Sequence, residues 1–191
     1  MDEKQYKTYA HILRQELIPA FGCTEPIAVA FAAAKAREVL GQMQGHLVVQ
    51  CSGNIIKNIK GVIVPASGGL RGIAISALLG AVGGDAGRGL ECLTSVTEEQ
   101  RAEARRLEAD GICEVELLEG VPNLDIIVTA TVGHASALVE VRNAHTNICR
   151  IEKDGQTVFL GEDHPVAEEA DLSVLTLEDI LTFAETVPHK M

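Results

Sequence analysis

"CEVELLEGVPNLDIIVTATVGHASALVEVRNAHTNICRIEKDGQTVFL" runs from Cys113 to Leu160, and its reading decides the fold. Apolar residues recur there with a period near two, the pattern of strands that bury one face. It predicts strands at Cys113–Leu118, Leu124–Thr131, Ala137–Arg142, Asn147–Glu152 and Thr157–Leu160. Asp154-Gly155 between the last two is a hairpin turn signal, because both residue types accept positive φ. Strands joined this closely make a compact, mainly antiparallel sheet.

Upstream the period lengthens. Tyr6, Ala10, Leu13 and Leu17 lie at helical spacing, and Pro19 closes that segment. The next predicted helix, Pro26 to Leu40, is apolar almost all round through Ala34 and stops at Gly41. A helix of that kind is central and buried, and its small side chains let another backbone or a cofactor approach closely. Strands are expected at Leu47–Cys51 and Gly61–Val64, with a turn or short helix over Ser52 to Lys60. A helix from Leu70 to Val82, a surface helix opened by a Thr97/Gln100 capping box, and a last helix from Leu177 to Glu185 capped by Thr176 follow. No repeat, linker or low-complexity segment interrupts residues 1–191. The reading is therefore a single α+β domain, with buried small-residue helices packed on the sheet.

Composition limits the partners. A formal net charge of −11 repels nucleic acid and anionic membranes. No apolar run reaches the roughly 18 residues of a membrane span, and the opening "MDEKQYKTYAHILRQ" is too polar for a signal peptide, so the cytoplasm is expected. The 5 cysteines include no C-x-x-C pair and read as reduced thiols. Cys51, Cys92, Cys113 and Cys149 lie on apolar segments and are expected in the core.

Four places could carry chemistry. Cys23 precedes a helix expected to start at an N-cap Thr24, with Pro26 just inside. Facing the positive end of the helix dipole, it is expected as a thiolate, which is either a nucleophile or a metal ligand. Ser52-Gly53-Asn54 followed by Lys57-Asn58 places polar groups between apolar segments, where they can hold a carboxylate or amino group. A partly desolvated Lys57 would there become a base. Ser67-Gly68-Gly69 is expected to open a helix and offer free N–H groups to a substrate carboxylate. His145, in a turn between strands, is the fourth; His11, His46, His134, His164 and His189 receive no role.

Taken in order, "GCTEPIAVA", "SGNIIKNIKGVIVP", "SGGLRGI" and "HTNI" resemble the N-terminal half of the L-cysteine desulfidase family, often grouped as serine-dehydratase alpha-subunit-like. That resemblance implies an oxygen-sensitive 4Fe-4S lyase that converts L-cysteine to pyruvate, ammonia and hydrogen sulfide without pyridoxal phosphate. It implies Cys23 as a cluster ligand, with the small-residue helix behind it leaving room for the cluster. Ser52, Gly53, Asn54, Asn58 and the Ser67-Gly68-Gly69 turn would hold the amino-acid substrate, and Lys57 and His145 are the candidate catalytic side chains. Family members are much longer, and their other cluster cysteines lie in a C-terminal half with no counterpart here. The cluster is thus expected only with that half or a partner chain present, and a homo-oligomer is compatible. Competing readings are an L-serine dehydratase-like enzyme, a non-catalytic binding or assembly module, and a hydrolase pairing Cys23 with His145.

Overall fold

The computed structural model describes residues 2–42, 45–163 and 172–187. His164 and His189 lie outside the described residues. Two compact units are present, one made of residues 1–19 with 166–191 and the other of residues 20–165.

The smaller unit pairs α1 (Glu3–Glu16) with α6 (Leu177–Thr186). Asp2 and Gln5 form a reciprocal capping box at the start of α1, and the Thr176 hydroxyl caps α6 through the Asp179 N–H. Each such cap satisfies an orphan N–H and contributes about 1 kcal/mol. Tyr6 and Tyr9 tilt against Phe183 with ring centroids 5.2 and 5.5 Å apart. The Tyr9 hydroxyl donates to the Val174 carbonyl at 3.3 Å and accepts the Thr176 N–H at 3.2 Å. Its polar tip is thereby satisfied inside a small apolar cluster.

The larger unit is built on a six-stranded sheet in the order β2-β1-β3-β4-β5-β6. Its strands are β1 (His46–Ser52), β2 (Cys113–Leu118), β3 (Asp125–Val132), β4 (Ala135–Arg142), β5 (Ile148–Lys153) and β6 (Gln156–Leu160). Every neighbouring pair is antiparallel except β1 and β2, which are parallel. A parallel pair needs a crossover, and here it carries α3 (Gly53–Ile59), α4 (Ile73–Gly83) and α5 (Glu98–Ala109). Asp154 and Gly155 have φ of 51° and 76°, the conformation their hairpin requires. The α+β class and the mainly antiparallel sheet match the sequence reading.

The helix α2 (Thr24–Leu40) crosses β3 and β4 and packs along α4, while α5 packs on α4. Ile27 through Ala34 are all buried, as expected for an apolar run without a polar face. The space beside these small side chains is filled by α4, not left for a cofactor. A Cβ at Gly80 would lie 2.0 Å from the Ala30 carbonyl oxygen, so the two helix backbones touch there. Facing strand residues Val49, Ile126, Val128, Val139 and Val141 complete the core.

Two local expectations are corrected. Residues 61–64 do not form a strand; a single bridge pairs Ile63 with Arg71, and the chain turns instead of running along a neighbour. The helix after Ser67-Gly68-Gly69 begins only at Ile73, with Gly72 at its N-cap.

Candidate functional site

The segment Phe21–Cys23 is fixed on two sides. The Phe21 N–H donates to the Leu90 carbonyl at 3.1 Å, and Gly22, at φ +108°, sits so close to Pro65 that a Cβ would lie 2.9 Å from its ring. Glycine answers both the positive φ and the contact. Cys23 then occupies the N-cap of α2 itself, and Thr24 is the first helical residue. The expected Thr24 cap is therefore displaced by one position. Cys23 makes no side-chain bond to the helix amides; its thiol turns to the carboxylate two residues on.

That carboxylate, Glu25, gathers the site. Its Oε2 accepts from the Cys23 thiol at 3.2 Å and the Thr24 hydroxyl at 3.3 Å, while Oε1 accepts from the Asn58 amide at 3.2 Å. Burial pushes the Glu25 carboxyl up, but the Cys23 thiol, its own backbone N–H, the Asn58 amide and nearby His145 outweigh burial and hold it below the ordinary carboxylate range. For Cys23 the largest influences act the other way and outweigh the backbone N–H groups of Glu25 and Thr24, which lower the thiol. Burial, the hydrogen bond to Glu25 and the charge of Glu25 raise the thiol. These influences favour the thiol over the thiolate expected from the helix dipole.

His145 stands in the loop between β4 and β5. Asn147 shapes that loop, accepting the Arg142 N–H on its own carbonyl and donating through its amide to the carbonyls of Arg142 and Glu162. Burial lowers His145 below the ordinary histidine value, and the charge of Glu25 opposes the shift. The imidazole is thus neutral near pH 7 and close enough to Glu25 for their charges to interact. Gly89 lies against the neighbouring Thr146, tying this loop to the turn that receives Phe21.

Of the residues picked from sequence, the fold brings Cys23, Asn58 and His145 to Glu25. Ser52 is engaged elsewhere: it caps α3 through the Ile55 N–H and donates to the Asn123 carbonyl at 2.6 Å. Gly53, Asn54 and Lys57 are exposed, so the desolvation expected of Lys57 is not found. Ser67 is buried and closes its own turn, accepting the Leu70 N–H at 2.8 Å and donating to the Leu70 carbonyl. Gly68 and Gly69, at φ +73° and +100°, are turn residues beside Arg105, which donates to the Ser67 carbonyl. With α4 starting at Ile73, this turn is not the helix-start anion site expected.

Sequence reasoning assigned Glu25 no role of its own. A signal existed, since Glu25 is the one charge before a long uncharged run into the core.

The thiols decide how far a cluster fits. Cys51, Cys92 and Cys149 are buried in the core, as expected. Cys113 is partly exposed; burial pushes it, Cys51 and Cys92 up to about 12 and Cys149 up to about 11. Among the described residues no group of three or more His, Cys, Asp or Glu side chains is placed to hold a metal ion. Cys23, the one thiol at this site, does not by itself hold a 4Fe-4S cluster. Also among the described residues, no helix is long and apolar enough to cross a membrane.

Comparison with known proteins places this arrangement in context. The chain is 50% identical over 183 residues to a protein named UPF0597 protein from Lachnoclostridium phytofermentans, covering 95% of the chain and 44% of that relative. UPF0597 proteins from Treponema denticola and Finegoldia magna are 39% identical over 194 residues and 42% identical over 183, covering 98% and 95% of the chain. Each is again matched over 44% of its length, so the chain spans less than half of these relatives. Their shared name states no activity. No family model matches the chain. No solved structure matches it.

Proposed function

We propose that this chain forms the N-terminal part of an α,β-eliminating lyase that acts on L-cysteine, with an L-serine dehydratase-like reaction as the alternative. The observation that carries the reading is that the carboxylate of Glu25 accepts hydrogen bonds from Cys23 beside it and from the sequence-distant Asn58, with partly buried His145 near enough to feel its charge. Such an elimination removes a proton from Cα and hydrosulfide from Cβ. The resulting 2-aminoacrylate tautomerises to an imine, and water releases ammonia and pyruvate. The groups on this chain suit the proton side of that chemistry. A neutral, half-buried His145 can accept a proton, and Glu25 stabilises the imidazolium that results. Asn58 fixes the carboxylate that does so. The resemblance implies a cluster to which Cys23 would contribute one ligand, with the others supplied from outside this chain.

The test is an anaerobic assay of L-cysteine and L-serine, using this chain combined with the remaining segment of a relative. Sulfide and pyruvate in equal amounts from L-cysteine, lost on His145→Ala, support the lyase. Pyruvate from L-serine alone selects the dehydratase reading. Absence of product from both substrates would leave a binding or assembly module as the better account.

A further inference from the structure

We infer that Glu25 is a binding subsite for a primary ammonium group, the α-ammonium of the amino-acid substrate. The inference deepens the lyase reading and rests on it for the identity of the whole ligand.

Charge bookkeeping within the larger unit carries it. Its partly or fully buried carboxylates, among the described residues, are Glu25, Glu103, Asp125, Glu140 and Glu152. Each of the last four pairs with an arginine: Glu103 with Arg106, Asp125 with Arg142, Glu140 with Arg142 and Arg150, and Glu152 with Arg150. Glu25 has no such cation. Its neighbours are a thiol, a hydroxyl and an amide, all neutral donors, and His145 is not within ion-pair distance. Glu25 is only partly withdrawn from water, and its donors, with the N-terminus of α2, stabilise the carboxylate without placing a full positive charge against it. An ammonium group supplies the missing charge and N–H donors for the carboxylate lone pairs still open. A metal ion held by this chain alone is served less well, because among the described residues no third His, Cys, Asp or Glu side chain joins Cys23 and Glu25.

Three small ligands separate the parts of the claim: L-serine carries both ammonium and carboxylate, ethanolamine the ammonium alone, and 3-hydroxypropionate the carboxylate alone. Each is titrated calorimetrically into the chain with a chelator present, for the native protein and for Glu25→Gln, whose melting temperature is measured beside it. L-Serine and ethanolamine are expected to bind the native chain and to weaken about tenfold or more in the variant, as befits loss of a charge-assisted contact. 3-Hydroxypropionate is expected to be indifferent to the substitution. Ethanolamine binding that depends on Glu25 while L-serine fails to bind would keep the ammonium subsite and reject the amino-acid reading. L-Serine binding unchanged in a folded Glu25→Gln variant would reject the subsite and leave the lyase reading standing. No ammonium ligand bound by the native chain overturns the proposal. If Glu25→Gln melts early, the titrations are repeated at a temperature where the variant is folded, and unchanged affinities there count against the proposal.

Discussion

At Cys23, two influences compete for the same proton. The start of α2 favours a thiolate, but the hydrogen bond and charge of Glu25, added to burial, favour the thiol. The bond is local and the thiol is partly exposed, so native-state alkylation near pH 7 followed by mass spectrometry is expected to label Cys23 first. Cys51, Cys92, Cys113 and Cys149 should lag, because burial holds their thiols at about 11 to 12. Equal labelling of all positions would mean that the Cys23 environment is not as described. A second residue-scale effect concerns Asp125, fully buried, with Oδ1 lacking a partner and Oδ2 bonded to Arg142 at 2.9 Å. Burial raises this carboxyl, and Arg142 offsets only part of the rise. The native state therefore holds the Asp125 proton more tightly than the unfolded chain does. The cost of burying the charge is present in full above the folded pKa and is relieved as pH falls towards the unfolded value. In urea titrations the stability of Asp125→Asn relative to the native protein should accordingly be more favourable at pH 8 than at pH 5. The opposite trend would show that Arg142 dominates.

The elements were legible in proportion to how local their signals are. The capping box of α5, the Thr176 cap and the Asp154-Gly155 hairpin stand where short patterns put them. The five strands after residue 112 keep their predicted places within two residues at either end. What the pattern does not hold is pairing. Nothing within Cys113–Leu118 says that it lies parallel to β1 across a three-helix crossover. Residues 61–64 are apolar enough for a strand but have only one bridge to satisfy their backbone, so tertiary context overrides their propensity. The site was half legible: motifs marked Cys23, Asn58 and His145, while the carboxylate joining them appears only when α2 and α3 meet. The α2–α4 contact gives a direct element-scale test. Gly80→Ala forces a methyl into the Ala30 carbonyl, a backbone atom that cannot rotate away, and is expected to cost about 3 kcal/mol or to prevent folding. A loss below about 0.5 kcal/mol in denaturant titration would mean that the helices cross less closely.

At the scale of the whole molecule, the two units rest on very different cores. The smaller one has Tyr9, Ala10 and Phe183 at its centre, drawn from opposite ends of the sequence. Phe183→Ala is expected to remove about 3 kcal/mol there and to release protection of α1 and α6 in hydrogen exchange while β1, β3 and β4 stay protected. Loss of protection throughout would show that the chain unfolds as one cooperative body. The larger unit carries the candidate site, and its donor set is incomplete for the cofactor that the family resemblance implies. The central claim, that this chain contributes one ligand to a centre completed by residues elsewhere, is tested most directly by anaerobic reconstitution, desalting and iron and sulfide analysis. The chain alone should retain little iron; combined with the remaining segment of a relative it should retain about four iron atoms per assembly. Cys23→Ser should reduce that retention. Four iron atoms held stably by the chain alone, or full retention without the Cys23 thiol, would contradict the account.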